Sequence, residues 1–199
     1  MEIKDTHPYV RAMEQIKRRV DTINACSDGR VRLSGPPRVE CAALQLRMVL
    51  ELIALASLAA NKELFQKQSI RFEKRWHPGE IIKDLEKLNP RFYPIPFRSS
   101  EPDDSGVRSH LPFDRFLSKD KLVEVHGRCG NVLHARNPFG KPIDYEKFLL
   151  DVLAWTNDVT SLLNTHEIWL LGDDHFHVVN MTEEGNDAVR MYTFQRSDV

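Results

Sequence analysis

An arginine, an asparagine and a histidine stand at three-residue steps in the stretch Arg128-Cys129-Gly130-Asn131-Val132-Leu133-His134. On a helix that spacing spreads the three polar side chains along one arc, with Asn131 in the middle. A guanidinium is a permanent cation that can stabilise charge building on phosphate oxygens, and an imidazole moves a proton near neutral pH. Together they make a kit for phosphodiester cleavage that needs no metal and no cofactor. The reach is long: on one helix Arg128 and His134 are separated by about 9 Å of rise. Two copies of the helix meeting at a two-fold axis would bring the groups together better than one. The same residues near a helix end also have a plain structural use, capping carbonyls or pairing with a carboxylate such as Glu51.

Other residues compete for attention. Arg47 and Glu51, four apart on the most apolar segment, read first as a buried ion pair, with Glu51 also placed to orient Arg128. His175 and His177 alternate on one face of a strand, near His166, Asp173 and Asp174, and are the weaker alternative as a metal site. Lys17-Arg18-Arg19 and the basic run from Arg71 to Arg75 read as solvated helix faces that can also hold phosphates. Phe92, Tyr93 and Phe97 are either base-stacking aromatics or a packed lid. Gly127 and Gly130 each cost a helix about 1 kcal/mol relative to alanine, so a close approach by another helix is expected there. The sequence contains no glycine-rich phosphate loop, nucleophile elbow or zinc-finger spacing, which removes several common enzyme classes.

The chain that must position these groups has 199 residues, enough for one domain with a real core. Its formal net charge of -1 gives no overall pull toward nucleic acid, so any polyanion site is local. Cys26, Cys41 and Cys129 are odd in number and lack CxxC spacing, which points to reduced thiols. With neither a secretory pattern nor a lipidation motif visible, the expected location is the cytoplasm. The apolar run from Ala42 to Ala60 approaches membrane-spanning length, but Arg47 and Glu51 in its middle make it a core helix, and no membrane partner is expected.

Periodicity predicts a first amphipathic helix on Tyr9, Met13, Ile16, Val20 and Ile23, and a central helix from about Arg38 to Asn61. A charged helix follows over Glu63 to Trp76, then a short one opened by Pro78 and closed at Asn89-Pro90. Residues 91–116 read as a long loop. Ser118 caps the helix that carries Arg128, and a last helix runs from about Ile143 to Asn164. Ile168 to Leu171, Phe176 to Met181 and Val189 to Phe194 then read as a three-stranded antiparallel β-meander. The expected fold is therefore mainly α: a helical bundle over 1–165 with a meander over 166–199 packed on it.

An apolar helix carrying Leu46-Arg47-Met48-Val49-Leu50-Glu51, followed after a variable middle by Arg128 to His134 on a late helix, resembles the HEPN domains, an all-helical family. The likeness covers about 38–164 and rests on that family's arginine followed after four to six residues by a histidine, with five between them here. It implies a homodimeric bundle acting as a metal-independent endoribonuclease of the toxin or phage-defence type, without cofactor. Arg128 and His134 match the catalytic positions, Asn131 assists, and Glu51 and Arg47 support. An antitoxin or other regulatory protein would be the partner. Cys129 follows the arginine where the family commonly has a polar residue. Arg136 stands where some toxin members carry a tyrosine for nucleotidyl modification, which argues against a nucleotidyltransferase partner. The alternative is a non-catalytic dimeric module that binds a ligand or a protein.

Overall fold

The computed structural model describes residues 7–60, 77–101, 109–135, 139–169 and 175–195. Among these, α1 is Pro8–Asp28, α2 is Pro36–Ala60, α3 is Pro78–Leu88, α4 is Lys119–Val132 and α5 is Tyr145–Leu163. The expected helix over 63–76 and its basic run lie outside the described residues.

Local chemistry sets the helix ends. Proline at the first position suits α1, α2 and α3, because its missing N–H would have no helical partner there. Ser118 and Asp144 cap α4 and α5, accepting from the N–H groups of Lys121 at 3.2 Å and Lys147 at 3.0 Å. Gly29, at φ 83°, closes α1 in the left-handed conformation that glycine adopts without strain.

Helix α2 is the core element. It packs against all four other described helices, and Leu46, Val49, Leu50 and Ile53 are buried along it. Length and composition alone would let it cross a bilayer, and half of its apolar window is buried against its neighbours.

The strands β1 (Ile95–Ser99), β2 (His110–Pro112), β3 (Thr165–Trp169), β4 (His175–Asn180) and β5 (Arg190–Gln195) form a five-stranded antiparallel sheet in the order β2-β1-β3-β4-β5. The expectation of a mainly α chain with a three-stranded meander is corrected: the fold is mixed α/β. The missed strands come from the segment read as a loop. Pro96 interrupts β1, and β2 is a three-residue exposed strand, so neither shows a β-branched run. β1 divides its pairing, with Ile95 and Pro96 opposite β3 and Phe97 to Ser99 opposite β2. A boundary at 165/166 falls within β3, and one sheet draws on strands from both sides of it.

Sheet and helices share a core that includes Ile168, Val179, Met181, Val189 and Met191. One polar tie crosses it. His166, fully buried on β3, has Nδ1 2.8 Å from the Leu163 carbonyl and Nε2 2.8 Å from the Tyr9 hydroxyl of α1. A carbonyl only accepts, so Nδ1 carries the proton and Nε2 accepts from Tyr9. Burial holds this imidazole down at about 4.

Candidate active site

Helix α4 has two chemically distinct sides. Inward it buries Leu122, Val125, His126, Cys129 and Gly130; outward it carries Arg128 and Asn131. Burial pushes the Cys129 thiol up to about 12, so it is a packing residue and not a nucleophile.

Arg128 lies with Nη2 2.7 Å from Asp151 Oδ2 on α5, its guanidinium over the Trp155 ring at 4.4 Å, and Nη1 3.9 Å from Glu124. Asp151 and Trp155 are four apart, so they share a face and hold the guanidinium from one side. The arginine side chain stays 42% exposed, which leaves donors open to solvent. Asn131 is exposed on the last turn of α4. The helix ends at Val132, two residues short of His134, and Leu133 closes it by donating to the Gly130 carbonyl. His134 therefore stands just past the helix, exposed, and hydrogen-bonds to no described residue. All three sequence-chosen groups face water, but His134 has left the helical arc that was to align it with Arg128.

Glu51 is engaged elsewhere. Its Oε1 lies 2.9 Å from His126 Nε2 and 3.2 Å from Arg47 Nε. It orients His126, whereas the carboxylate beside Arg128 is Asp151. The His126 pKa is lowered, first by burial and also by the Arg47 charge, against the opposing pull of Glu51. His77, the N-cap of α3, presents its ring at 79° to His126 with centroids 5.2 Å apart. A neutral imidazole held by a carboxylate can act as a general base, but this ring is 4% exposed. It acts as a tie between α2 and α4.

That tie also explains one of the two glycines. A Cβ on Gly130 would lie 2.4 Å from Arg47 Nη1, so a guanidinium, not another helix, needs the space; at Gly127 a Cβ would meet nothing within 4 Å. The signal was present as two four-residue pairs, Arg47/Glu51 and His126/Gly130, which interlock on antiparallel helices. Asp151 left no such mark, and Trp155 reads equally well as core.

The remaining candidates sort plainly. His177 is buried with Nδ1 3.0 Å from the Thr193 hydroxyl, and His175 lies two residues away on the same strand. Among the described residues no group of three His, Cys, Asp or Glu converges on one point; Asp173 and Asp174 lie outside the described residues. Phe92 is buried, Tyr93 donates to the Leu117 carbonyl at 2.8 Å and Phe97 stacks on His110, so these aromatics pack. Lys17 pairs with Asp187 and Arg19 with Gln45, leaving Arg18 as the exposed cation of that run. No known protein family, curated protein or solved structure matches the chain.

Proposed function

We propose that this protein is a metal-independent endoribonuclease of the toxin or phage-defence type, acting as a homodimer in the cytoplasm on RNA and held in check by an antitoxin or regulatory protein. The observation that carries the reading is the fixed and still solvent-facing guanidinium of Arg128, with Asn131 and His134 exposed beyond it on the same stretch of chain. His134 would take the proton of a ribose 2′-hydroxyl as that oxygen bonds to phosphorus. The P–O5′ bond breaks, and the leaving oxygen is protonated, giving a 2′,3′-cyclic phosphate and a 5′-hydroxyl. Arg128 would hold the charge on the non-bridging oxygens, and Asn131 would orient one of the two groups.

The surface beyond Arg128 holds two further arginines among carboxylates. Asp151, Trp155 and Asp158 fall at four- and three-residue steps along one face of α5. From Asp158 the face opens into a cleft of about 480 Å³ lined by Arg98, Phe113, Asp114, Arg115, Asn157 and Ser161. Arg98 sits 4.2 Å above the Phe113 ring, and Arg115 is 78% exposed while paired with Asp158. The family likeness to HEPN domains belongs to this reading. The described sheet is an addition that an all-helical family does not require.

Incubation of the purified protein with single-stranded RNA in EDTA tests the proposal. Fragments ending in cyclic phosphate support it, and intact RNA counts against it. A second reading is a non-catalytic dimeric binding module. It is favoured by Leu150, 67% exposed next to Asp151, and by Phe139, 95% exposed, which would be covered by a second subunit.

A further inference from the structure

The hairpin of α1 and α2 sets two thiols against each other. Cys26 lies near the end of α1 and Cys41 near the start of α2, on either side of the connecting turn. Deeper in the hairpin, Arg19 Nη1 bonds Gln45 Oε1 at 2.7 Å, which fixes the antiparallel register. Ala25 and Ala42, both buried beside the thiols, let the helices approach closely. Cys26 is fully buried, Cys41 is partly exposed, and the two are near enough to share a hydrogen bond.

A cation completes the group. Arg38 stands one turn before Cys41 on α2, and its Nη2 reaches both Glu146 oxygens at 3.0 Å. Its Nε is buried and has no hydrogen-bond partner. Its charge is felt at Cys26, where it opposes burial and favours the thiolate.

We propose that Cys26 and Cys41 form a reversible disulfide when the protein meets a two-electron thiol oxidant of the peroxide class, with Arg38 favouring loss of the Cys26 proton as the link closes. Cys41, the accessible member, loses its proton and attacks one peroxide oxygen. The S–O bond forms, the O–O bond breaks, and hydroxide leaves as water with that proton. The Cys26 sulfur then attacks the sulfenic sulfur, expelling a second hydroxide, which takes the Cys26 proton. Two thiols are oxidised and one peroxide is reduced to two waters. Burial pushes the Cys26 thiol up to about 11, which suits a resolving partner and not the initiating nucleophile. Cys129, buried on α4, stays out of the exchange.

The test uses the full-length chain treated with hydrogen peroxide, denatured, alkylated, digested and weighed. The expected product is a linked pair of peptides containing Cys26 and Cys41, two hydrogens lighter than the reduced pair, with Cys129 alkylated. Dithiothreitol should reverse the link, and the melting temperature should be higher while it is in place. Arg38→Gln, checked for folding by its reduced melting curve, should slow closure of the link while leaving the first oxidation of Cys41 unchanged, because the charge that favours loss of the Cys26 proton is gone. Alkylation of both Cys26 and Cys41 after peroxide, oxidation of Cys41 to a sulfinic acid, or a link between two chains would overturn the proposal. An unchanged rate of closure in Arg38→Gln would remove Arg38 from it.

Discussion

Arg128 and Asp151 meet across the space between α4 and α5, Nη2 to Oδ2 at 2.7 Å, with the Trp155 ring beneath the guanidinium. A planar cation seated on an indole keeps its orientation when its acid partner is lost, because ring and carboxylate hold it independently. The pair thus fixes where the charge sits, while Asp151 offsets part of the field that an approaching phosphate would feel.

Removing that offset separates the two effects. Asp151→Asn should lower stability by no more than about 1 kcal/mol, since the pair is partly exposed, and should tighten RNA binding and steepen its dependence on salt. Fluorescence anisotropy with a labelled single strand at several salt concentrations reads this out. Weaker binding by the variant would mean that Asp151 positions Arg128 and does not compete for it.

The two glycines of α4 should part company on substitution. Gly127→Ala should stabilise the chain by about 1 kcal/mol, because helix propensity is gained and nothing is met. Gly130→Ala should gain less than Gly127→Ala, because the added methyl group meets the end of the Arg47 side chain, which must swing aside within its pairing with Glu51. Urea denaturation of both variants, with Arg47→Ala added as the second arm of a double-mutant cycle, measures the coupling. Equal shifts at the two positions would show that Arg47 yields without cost.

Acid should unfold the protein through its buried imidazoles. His166 is held at about 4 in the folded chain against an ordinary 6.5, so as pH falls the unfolded chain takes up the proton first. This contribution is complete above pH 6.5 and is lost between 6.5 and 4, at about 1.4 kcal/mol per pH unit once below 6.5. His126, lowered in the same direction, adds to the loss. Chemical denaturation from pH 7.5 to 4.5 and NMR titration of the ring follow it, and titration of His166 near 6.5 in the folded chain would contradict the argument. Tyr9→Phe, which leaves Nε2 of His166 buried without its donor, should cost about 1–3 kcal/mol at neutral pH.

The helices were legible wherever burial is one-sided and the ends are marked. Tyr9, Met13, Ile16 and Ile23 recur on the inner face of α1, and Ser118 caps α4 as its sequence position suggests. β1 was not legible, because Pro96 sits inside it and each half pairs on a different side, a tertiary arrangement that leaves no alternation to detect. In the candidate site, the residue types of Arg128, Asn131 and His134 could be read, while their exposure comes from the structure. Their partners could not, because Asp151 meets Arg128 through helix packing that no spacing along the chain encodes. The role of Gly130 was half visible: its cost predicted a close neighbour, and the neighbour is the Arg47 side chain.

The central claim is tested most directly by measuring RNA cleavage in EDTA by the wild-type chain, Arg128→Ala and His134→Ala side by side, with circular dichroism confirming that each is folded. His134 hydrogen-bonds to no described residue, so its replacement should leave the fold intact and reduce cleavage at least a hundredfold; Arg128→Ala should do the same. Cleavage by folded His134→Ala at the wild-type rate would contradict the account.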